Sequence, residues 1–181
     1  MMNLDSLLEA AKSAATIAGK FLRANKSSSK EVISEEGRDI KLKIDQDTEK
    51  LLRSELEKTS INILGEEYGG TISDEVFWVI DPLDGTANYF RGLDQCCISI
   101  ALMRGNKSLL GVIYNFNNDE MYFASKNNGA FLNNKPISVS KIKARDKASL
   151  TTGFPASESL ESSMEFLEGL KEWKKIRMFG S

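Results

Sequence analysis

The strongest constraint on the fold is a change of hydrophobic pattern near residue 61. Before it, apolar residues recur every three or four positions over 3–24 and 47–58, which predicts two amphipathic helices. After it, short apolar runs are separated by Gly, Asn or Asp, which predicts strands joined by tight turns. The predicted strands are 61–64, 76–80, 97–103, 109–114, 121–124, 130–132 and 136–139. This order favours an α+β fold with two helices on a mainly antiparallel sheet.

A second change of pattern near residue 148 predicts the beginning of another unit. The segments 149–152, 159–172 and 175–179 have the patterns of a strand, a helix and a strand. Such a run is typical of an α/β layer. We therefore expect an N-terminal α+β domain over residues 1–146 and the beginning of a C-terminal α/β domain over 147–181, the latter incomplete.

Composition excludes several classes of function. The chain has 24 Lys and Arg against 26 Asp and Glu, and this balance argues against a nucleic-acid partner. It contains no histidine, so catalysis must use carboxylates, hydroxyls, lysines or metals held by oxygen. The adjacent Cys96 and Cys97 suit neither a disulfide framework nor a zinc site. No segment resembles a secretory signal or a membrane span, so we expect a cytoplasmic protein without a membrane partner.

The acidic residues are concentrated in one stretch, 59–90, which contains no Lys or Arg. Its six acids are Glu66, Glu67, Asp74, Glu75, Asp81 and Asp84. Glu66 follows a predicted strand, and Asp81 ends the next one, with Pro82 constraining the backbone before Asp84. Carboxylates placed at strand ends can converge, so a cation site is favoured here over a solvated acidic face. Because there is no histidine, Mg²⁺ or Mn²⁺ fits better than zinc.

A candidate phosphate seat follows directly. Gly85 and Thr86 begin a predicted helical turn, whose free backbone N–H groups and positive dipole end favour an anion. Paired metals roughly 3.5–4 Å apart are a recurrent device for cleaving phosphoesters. The stretch is therefore typical of a combined metal and phosphate site.

The segment 78–89, Trp-Val-Ile-Asp-Pro-Leu-Asp-Gly-Thr-Ala-Asn-Tyr, closely resembles the signature of the inositol monophosphatase family. Gly-Glu-Glu at 65–67 matches a second family motif at a suitable spacing. Further matching segments are 111–114, 129–131, 152–155 and 177–181. The resemblance extends from about residue 5 to the last residue.

The resemblance implies a layered αβαβα sugar-phosphatase fold and a Mg²⁺-dependent, lithium-sensitive phosphomonoesterase, commonly a homodimer. Its substrate would be inositol monophosphate or a related small sugar or polyol phosphate. Two or three Mg²⁺ ions, or Mn²⁺ in their place, would be bound by Glu66, Asp81, Asp84 and the Leu83 carbonyl. Thr86 and Asp45, together with Glu66, would be catalytic, orienting and deprotonating the attacking water.

The same resemblance assigns Gly85 and Thr86 to the phosphate, and Gly180 and Ser181 to the alcohol portion of the substrate. One position departs from the family pattern, because Leu42 stands where a hydroxyl residue usually precedes Asp45. The family's later Trp-Asp-x-Ala-Gly motif is not found in these 181 residues. We therefore expect a C-terminally truncated chain with impaired turnover.

Two kinds of alternative remain open. Within the superfamily, the chain could be a fructose-1,6-bisphosphatase or a 3′-phosphoadenosine 5′-phosphate phosphatase. The latter usually has Lys-Glu after Asp-Gly-Thr, where this chain has Ala87 and Asn88. From another class, it could be a non-catalytic metal-binding or dimerisation module, which retains the acidic residues without turning over a substrate.

Overall fold

The computed structural model describes residues 3–28, 31–36, 39–72, 75–154 and 159–178. The first helix, α1 (Leu4–Asn25), and the second, α2 (Lys43–Leu56), pack on each other and on the central sheet. Between them, β1 (Val32–Glu36) and β2 (Asp39–Leu42) form an antiparallel pair that the sequence did not predict. A short 3₁₀ helix, Glu57–Thr59, follows α2.

The central sheet has seven strands in the order β3-β4-β5-β6-β7-β8-β9. Their bounds are Asn62–Gly65, Val76–Asp84, Cys97–Arg104, Lys107–Asn115, Glu120–Ser125, Gly129–Leu132 and Lys135–Ile137. The first two strands pair parallel and every other neighbouring pair is antiparallel. The predicted α+β fold with a mainly antiparallel sheet is confirmed.

The core lies between the helices and the sheet. Four alanines on one face of α1 are almost completely buried, and their small side chains let the helix approach β5 and β6 closely. They are Ala11, Ala14, Ala15 and Ala18. Asn3 caps this helix by accepting the backbone N–H groups of Asp5 and Ser6. Helix α2 begins four residues earlier than predicted. Asp45 therefore lies in its first turn, where its side chain is buried.

The C-terminal elements form a separate small sheet. Strands β10 (Ser149–Thr152) and β11 (Lys175–Met178) pair in parallel, and α4 (Leu160–Gly169) lies between them in sequence. The strand-helix-strand order agrees with prediction, although the helix ends three residues early. A domain boundary at 146/147 stays a prediction. Within the described segments, no helix is long and apolar enough to cross a membrane.

Candidate active site

The site is organised by an irregularity near the end of β4. Asp81 pairs with Ser99 and Asp84 pairs with Cys97. Between these two pairs β4 advances by three residues and β5 by only two, so β4 contains a β-bulge. In a regular strand, side chains three residues apart face opposite sides, and one extra residue returns them to the same side. Pro82 has no N–H to donate and is tolerated at such a bulge. The sequence predicted that the strand ends at Asp81, whereas in the structure it continues to Asp84 with this bulge.

A threonine hydroxyl lies beside the bulge at the start of α3 (Thr86–Phe90). Its Oγ1 is 3.0 Å from the Leu83 carbonyl oxygen and 3.5 Å from Asp45 Oδ1. Asp45 comes from α2, where its Oδ2 accepts the Leu42 backbone N–H at 2.8 Å. That contact uses only the backbone of Leu42, so the missing hydroxyl at position 42 does not prevent this placement of Asp45. The structure therefore brings together three of the predicted site residues from two parts of the chain.

Asp45 is only 3% exposed, and burial raises the pKa of its carboxyl from 3.8 to about 7. The nearby charges of Glu67 and Glu66 act in the same direction, while the Leu42 N–H and the Thr86 hydroxyl oppose the shift. A carboxyl group that titrates near neutral pH is suited to accept a proton from a reacting group.

Asp81 is the second carboxyl group with a strongly raised pKa. Burial is again the largest cause, followed by the charges of Glu66 and Asp84, and the pKa reaches about 7. The Glu66 side chain is also a hydrogen-bond partner of Asp81. Asp81 therefore has two carboxylate neighbours, Asp84 from the same strand end and Glu66 from the 65–67 motif.

The Cys97 thiol lies next to the Asp84 carboxylate. Cys97 Sγ is 3.8 Å from Asp84 Oδ2, and burial with the charges of Asp84 and Asp81 raises the pKa of the thiol to about 12. The thiol therefore stays protonated at neutral pH. Cys96, by contrast, is buried in the core.

Gly85 is required by the backbone geometry at the predicted phosphate seat. Its φ is +92°, and a Cβ there would lie 2.7 Å from the carbonyl oxygen of Gln95. Gly85 precedes Thr86, and its carbonyl accepts the Tyr89 N–H within the short helix that follows. The first N–H groups of a helix have no partners within it, so they point toward the space before the helix.

The donor chemistry fits a hard cation, although the side chains are not closed around one position. In the described parts of the chain, no three or more Asp, Glu or Cys side chains are placed to hold a metal ion. The carboxylates of Glu66, Asp81 and Asp84 are nevertheless neighbours, and their mutual repulsion contributes to the raised pKa of Asp81. Bound Mg²⁺ or Mn²⁺ would relieve this repulsion through oxygen ligands alone.

Two predicted site residues lie outside the described residues, and one functional candidate was missed. Gly180 and Ser181 belong to the C-terminal residues that the structure does not describe. Glu49, which is completely buried on α2, contacts the 65–68 segment directly. Its sequence signal was its position four residues after Asp45, on the same side of one helix.

The fold and the neighbouring carboxylates of Glu66, Asp81 and Asp84 together define a layered α+β protein with a candidate cation site. The chain belongs to the inositol monophosphatase family, whose profile matches residues 3–181. This confirms the family resemblance of the sequence motifs.

Individual relatives support the same assignment. The chain is 36% identical over 154 residues to the Nus factor SuhB of Xylella fastidiosa, covering 84% of this chain and 55% of that protein. It is 34% identical over 169 residues to a fructose-1,6-bisphosphatase/inositol-1-monophosphatase of Aquifex aeolicus, covering 91% and 64% respectively. A solved structure of the extragenic suppressor protein SuhB from Bartonella henselae has a TM-score of 0.88 at 30% identity, covering 97% of this chain and 70% of that one. The chain thus spans less than two thirds of the length of the two sequence relatives.

Proposed function

We propose that the protein is a Mg²⁺-dependent phosphomonoesterase acting on inositol monophosphate or a related small sugar or polyol phosphate. The observation that carries this proposal is the position of the Thr86 hydroxyl, between Asp45 Oδ1 and the Leu83 carbonyl and next to the Asp81 bulge. The hydroxyl has a proton acceptor, Asp45, on one side, and it follows the strand end that carries the proposed cation ligands. This arrangement suits proton transfer beside a cation. Membership of the inositol monophosphatase family supports the same reaction.

Thr86 and Asp45 would move the proton of the attacking water. The Thr86 hydroxyl would take a proton from the attacking water while passing its own proton to Asp45 Oδ1. Asp45 is suited to receive it because its raised pKa of about 7 matches a neutral working pH. The backbone N–H groups at Gly85 and Thr86 would hold the phosphate oxygens at the start of the helix.

The cation would be held by Glu66, Asp81, Asp84 and the Leu83 carbonyl. When bound, Mg²⁺ would neutralise charge on the phosphate and activate the attacking water. The uncatalysed hydrolysis of phosphate monoesters is among the slowest reactions known, so this electrostatic contribution has to be large. The binding of two or three ions, lithium sensitivity and a homodimer are implied by the family resemblance and stay predictions. The cytoplasmic location expected from the sequence also stays a prediction.

The substrate class has a specific runner-up. The relative from Aquifex aeolicus carries both fructose-1,6-bisphosphatase and inositol-1-monophosphatase in its name. Fructose 1,6-bisphosphate is therefore the second candidate substrate, ahead of 3′-phosphoadenosine 5′-phosphate, whose phosphatases differ at the positions of Ala87 and Asn88.

A panel assay tests the proposal. Phosphate release from inositol 1-phosphate, fructose 1,6-bisphosphate and 3′-phosphoadenosine 5′-phosphate is measured with and without Mg²⁺, at enzyme concentrations high enough to detect slow turnover. Mn²⁺ binding to the same protein is measured by electron paramagnetic resonance. We expect Mg²⁺-dependent release, fastest from inositol 1-phosphate, and loss of both binding and release in Asp84→Asn.

Asp47→Asn is the matched control, because Asp47 is also an aspartate but contacts Lys50 at the surface of α2. It should leave Mn²⁺ binding and phosphate release unchanged. Mn²⁺ binding without release from any of the three substrates would contradict a phosphatase and favour a metal-binding module. Release that is independent of Mg²⁺ would contradict the proposed mechanism.

A further inference from the structure

A buried carboxylate on α2 holds the segment that carries Glu66. Glu49 is completely buried, yet its two oxygens accept hydrogen bonds from the backbone N–H groups of Glu67, at 2.7 Å, and Tyr68, at 3.2 Å. A carboxylate is removed from water only at considerable cost unless charged partners and hydrogen bonds compensate. Here both oxygens are used to hold a turn directly after β3.

Arg53 completes the arrangement from one turn further along α2. Its Nε donates to Glu49 Oε1 at 2.8 Å, and its guanidinium also donates to the carbonyl oxygens of Gly69, at 2.6 Å, and Ile63, at 3.5 Å. One planar side chain thus contacts the strand before the turn and the backbone after it. The fixed fork of donors makes arginine better suited to this than lysine.

Gly65 shows how closely α2 approaches this turn. A Cβ at Gly65 would lie 2.0 Å from Glu49 Oε1, so the carboxylate occupies the space that any other side chain would need. Gly65 also donates its N–H to the Gly69 carbonyl, which closes the turn on itself. The glycine before Glu66 is therefore required by the position of Glu49.

We propose that Glu49 and Arg53, here named the Glu49–Arg53 clamp, are positioning residues that hold the Glu66 carboxylate toward Asp81 for cation binding. This inference rests on the proposed cation site. Glu66 itself is exposed and lies in the turn, so the clamp acts on it through the backbone that it holds at the next residue, Glu67. Partners that orient metal ligands typically change metal affinity by about 10–100-fold when they are removed.

Two substitutions that remove opposite charges distinguish positioning of Glu66 from a long-range effect of charge on the cation. Glu49→Gln removes a negative charge, and Arg53→Met removes a positive charge. If only long-range electrostatics mattered, the first would weaken Mn²⁺ binding and the second would strengthen it. If the clamp positions Glu66, both variants bind Mn²⁺ roughly tenfold more weakly than the wild type. Tighter binding by Arg53→Met would overturn the proposal.

The surface ion pair between Glu55 and Lys58 provides matched controls. It joins Glu55, near the end of α2, to Lys58 in the 3₁₀ helix that follows, and it makes the same kind of charge contact away from the turn. Glu55→Gln and Lys58→Met repeat the two charge changes and should alter Mn²⁺ affinity less than about twofold, as expected for a solvent-screened surface pair.

A double variant separates positioning from packing. In Glu49→Ala the space next to Gly65 is free, so adding Gly65→Ala fills it without the close contact. We expect this double variant to be at least as stable as Glu49→Ala but to bind Mn²⁺ as weakly, because the acceptors for the Glu67 and Tyr68 N–H groups are still missing. Restored Mn²⁺ affinity would show that Glu49 only fills space, which would overturn the proposal.

Hydrogen exchange gives a readout that does not depend on the cation. In Glu49→Gln, the amides of Glu67 and Tyr68 should exchange at least tenfold faster than in the wild type, while amides in β5 and β6 stay protected. Unchanged exchange at both amides would overturn the clamp. Failure of the wild type to bind Mn²⁺ would instead overturn the proposed function, so the two failures can be told apart.

Discussion

Replacing Asp45 by asparagine should stabilise the cation-free protein at alkaline pH while abolishing phosphate release. The Asp45 carboxyl is 3% exposed, and its pKa is raised from 3.8 to about 7 by burial and by the charges of Glu67 and Glu66. An acid with a raised pKa in the folded state prefers to be neutral there. Its ionisation therefore costs stability as pH rises from the unfolded pKa to the folded one.

The magnitude follows from these two pKa values. At pH 8 Asp45 is ionised in both the folded and the unfolded protein. Because its pKa is about three units higher in the folded protein, ionisation there lowers the free energy of unfolding by about 4 kcal/mol. Near pH 5 the folded Asp45 is protonated while the unfolded carboxyl is already largely ionised, and this leaves a penalty of about 1.5 kcal/mol. The advantage of Asp45→Asn should therefore grow by about 2–3 kcal/mol between the two pH values.

This pH-dependent gain in stability is measured by urea unfolding in the presence of a chelator. Asp45→Asn and the wild type are compared at both pH values. Asparagine keeps an oxygen to accept the Leu42 N–H, and any fixed cost of the amide cancels in the comparison between pH values. Asp47→Asn, at the surface of the same helix, should show no such pH-dependent gain. An equal free-energy difference between Asp45→Asn and the wild type at pH 5 and pH 8 would refute the reasoning, because Asp45 would then ionise normally in the folded protein.

Three further predictions test single contacts of the site. Thr86→Val should lower phosphate release by about 100-fold in the panel assay but change Mn²⁺ affinity less than about threefold, whereas Thr86→Ser keeps most activity. Gly85→Ala should lower the free energy of unfolding by about 1–3 kcal/mol in urea, because φ is +92° and the Cβ would meet the Gln95 carbonyl. Cys97 should react with iodoacetamide at pH 8 at least about tenfold more slowly in the folded protein than in guanidinium, because its thiol pKa is raised to about 12. A normal alkylation rate, or full activity in Thr86→Val, would contradict these assignments.

The sequence predicted the elements whose apolar residues follow one clear period. Helix α1 and the strands from β3 to β7 are of this kind, because each contributes apolar residues to the same core. The β1–β2 pair was missed because charged residues interrupt its short segments. The end of β4 was misjudged because Pro82 usually marks a turn, and only the pairing with β5 shows that a bulge accommodates it.

The site was predictable where its residues are neighbours in sequence. Asp81, Asp84 and Gly85 lie close together in sequence at the end of one strand, so their proximity needed no tertiary information. Asp45 was assigned through the family resemblance, and the structure brings it to Thr86 from α2. Glu49 could not be identified in this way, because its contacts depend on how closely α2 approaches the turn after β3.

The proposed function depends on a cation shared by Glu66, Asp81 and Asp84 next to Thr86. Anomalous diffraction from crystals grown with Mn²⁺ tests it most directly, because the scattering locates the ion without relying on activity. We predict at least one Mn²⁺ peak within about 2.5 Å of oxygens from Asp81 and Asp84, and its loss in Asp84→Asn crystals. Crystals that bind Mn²⁺ only elsewhere on the protein, or not at all, would contradict a cation site at these carboxylates.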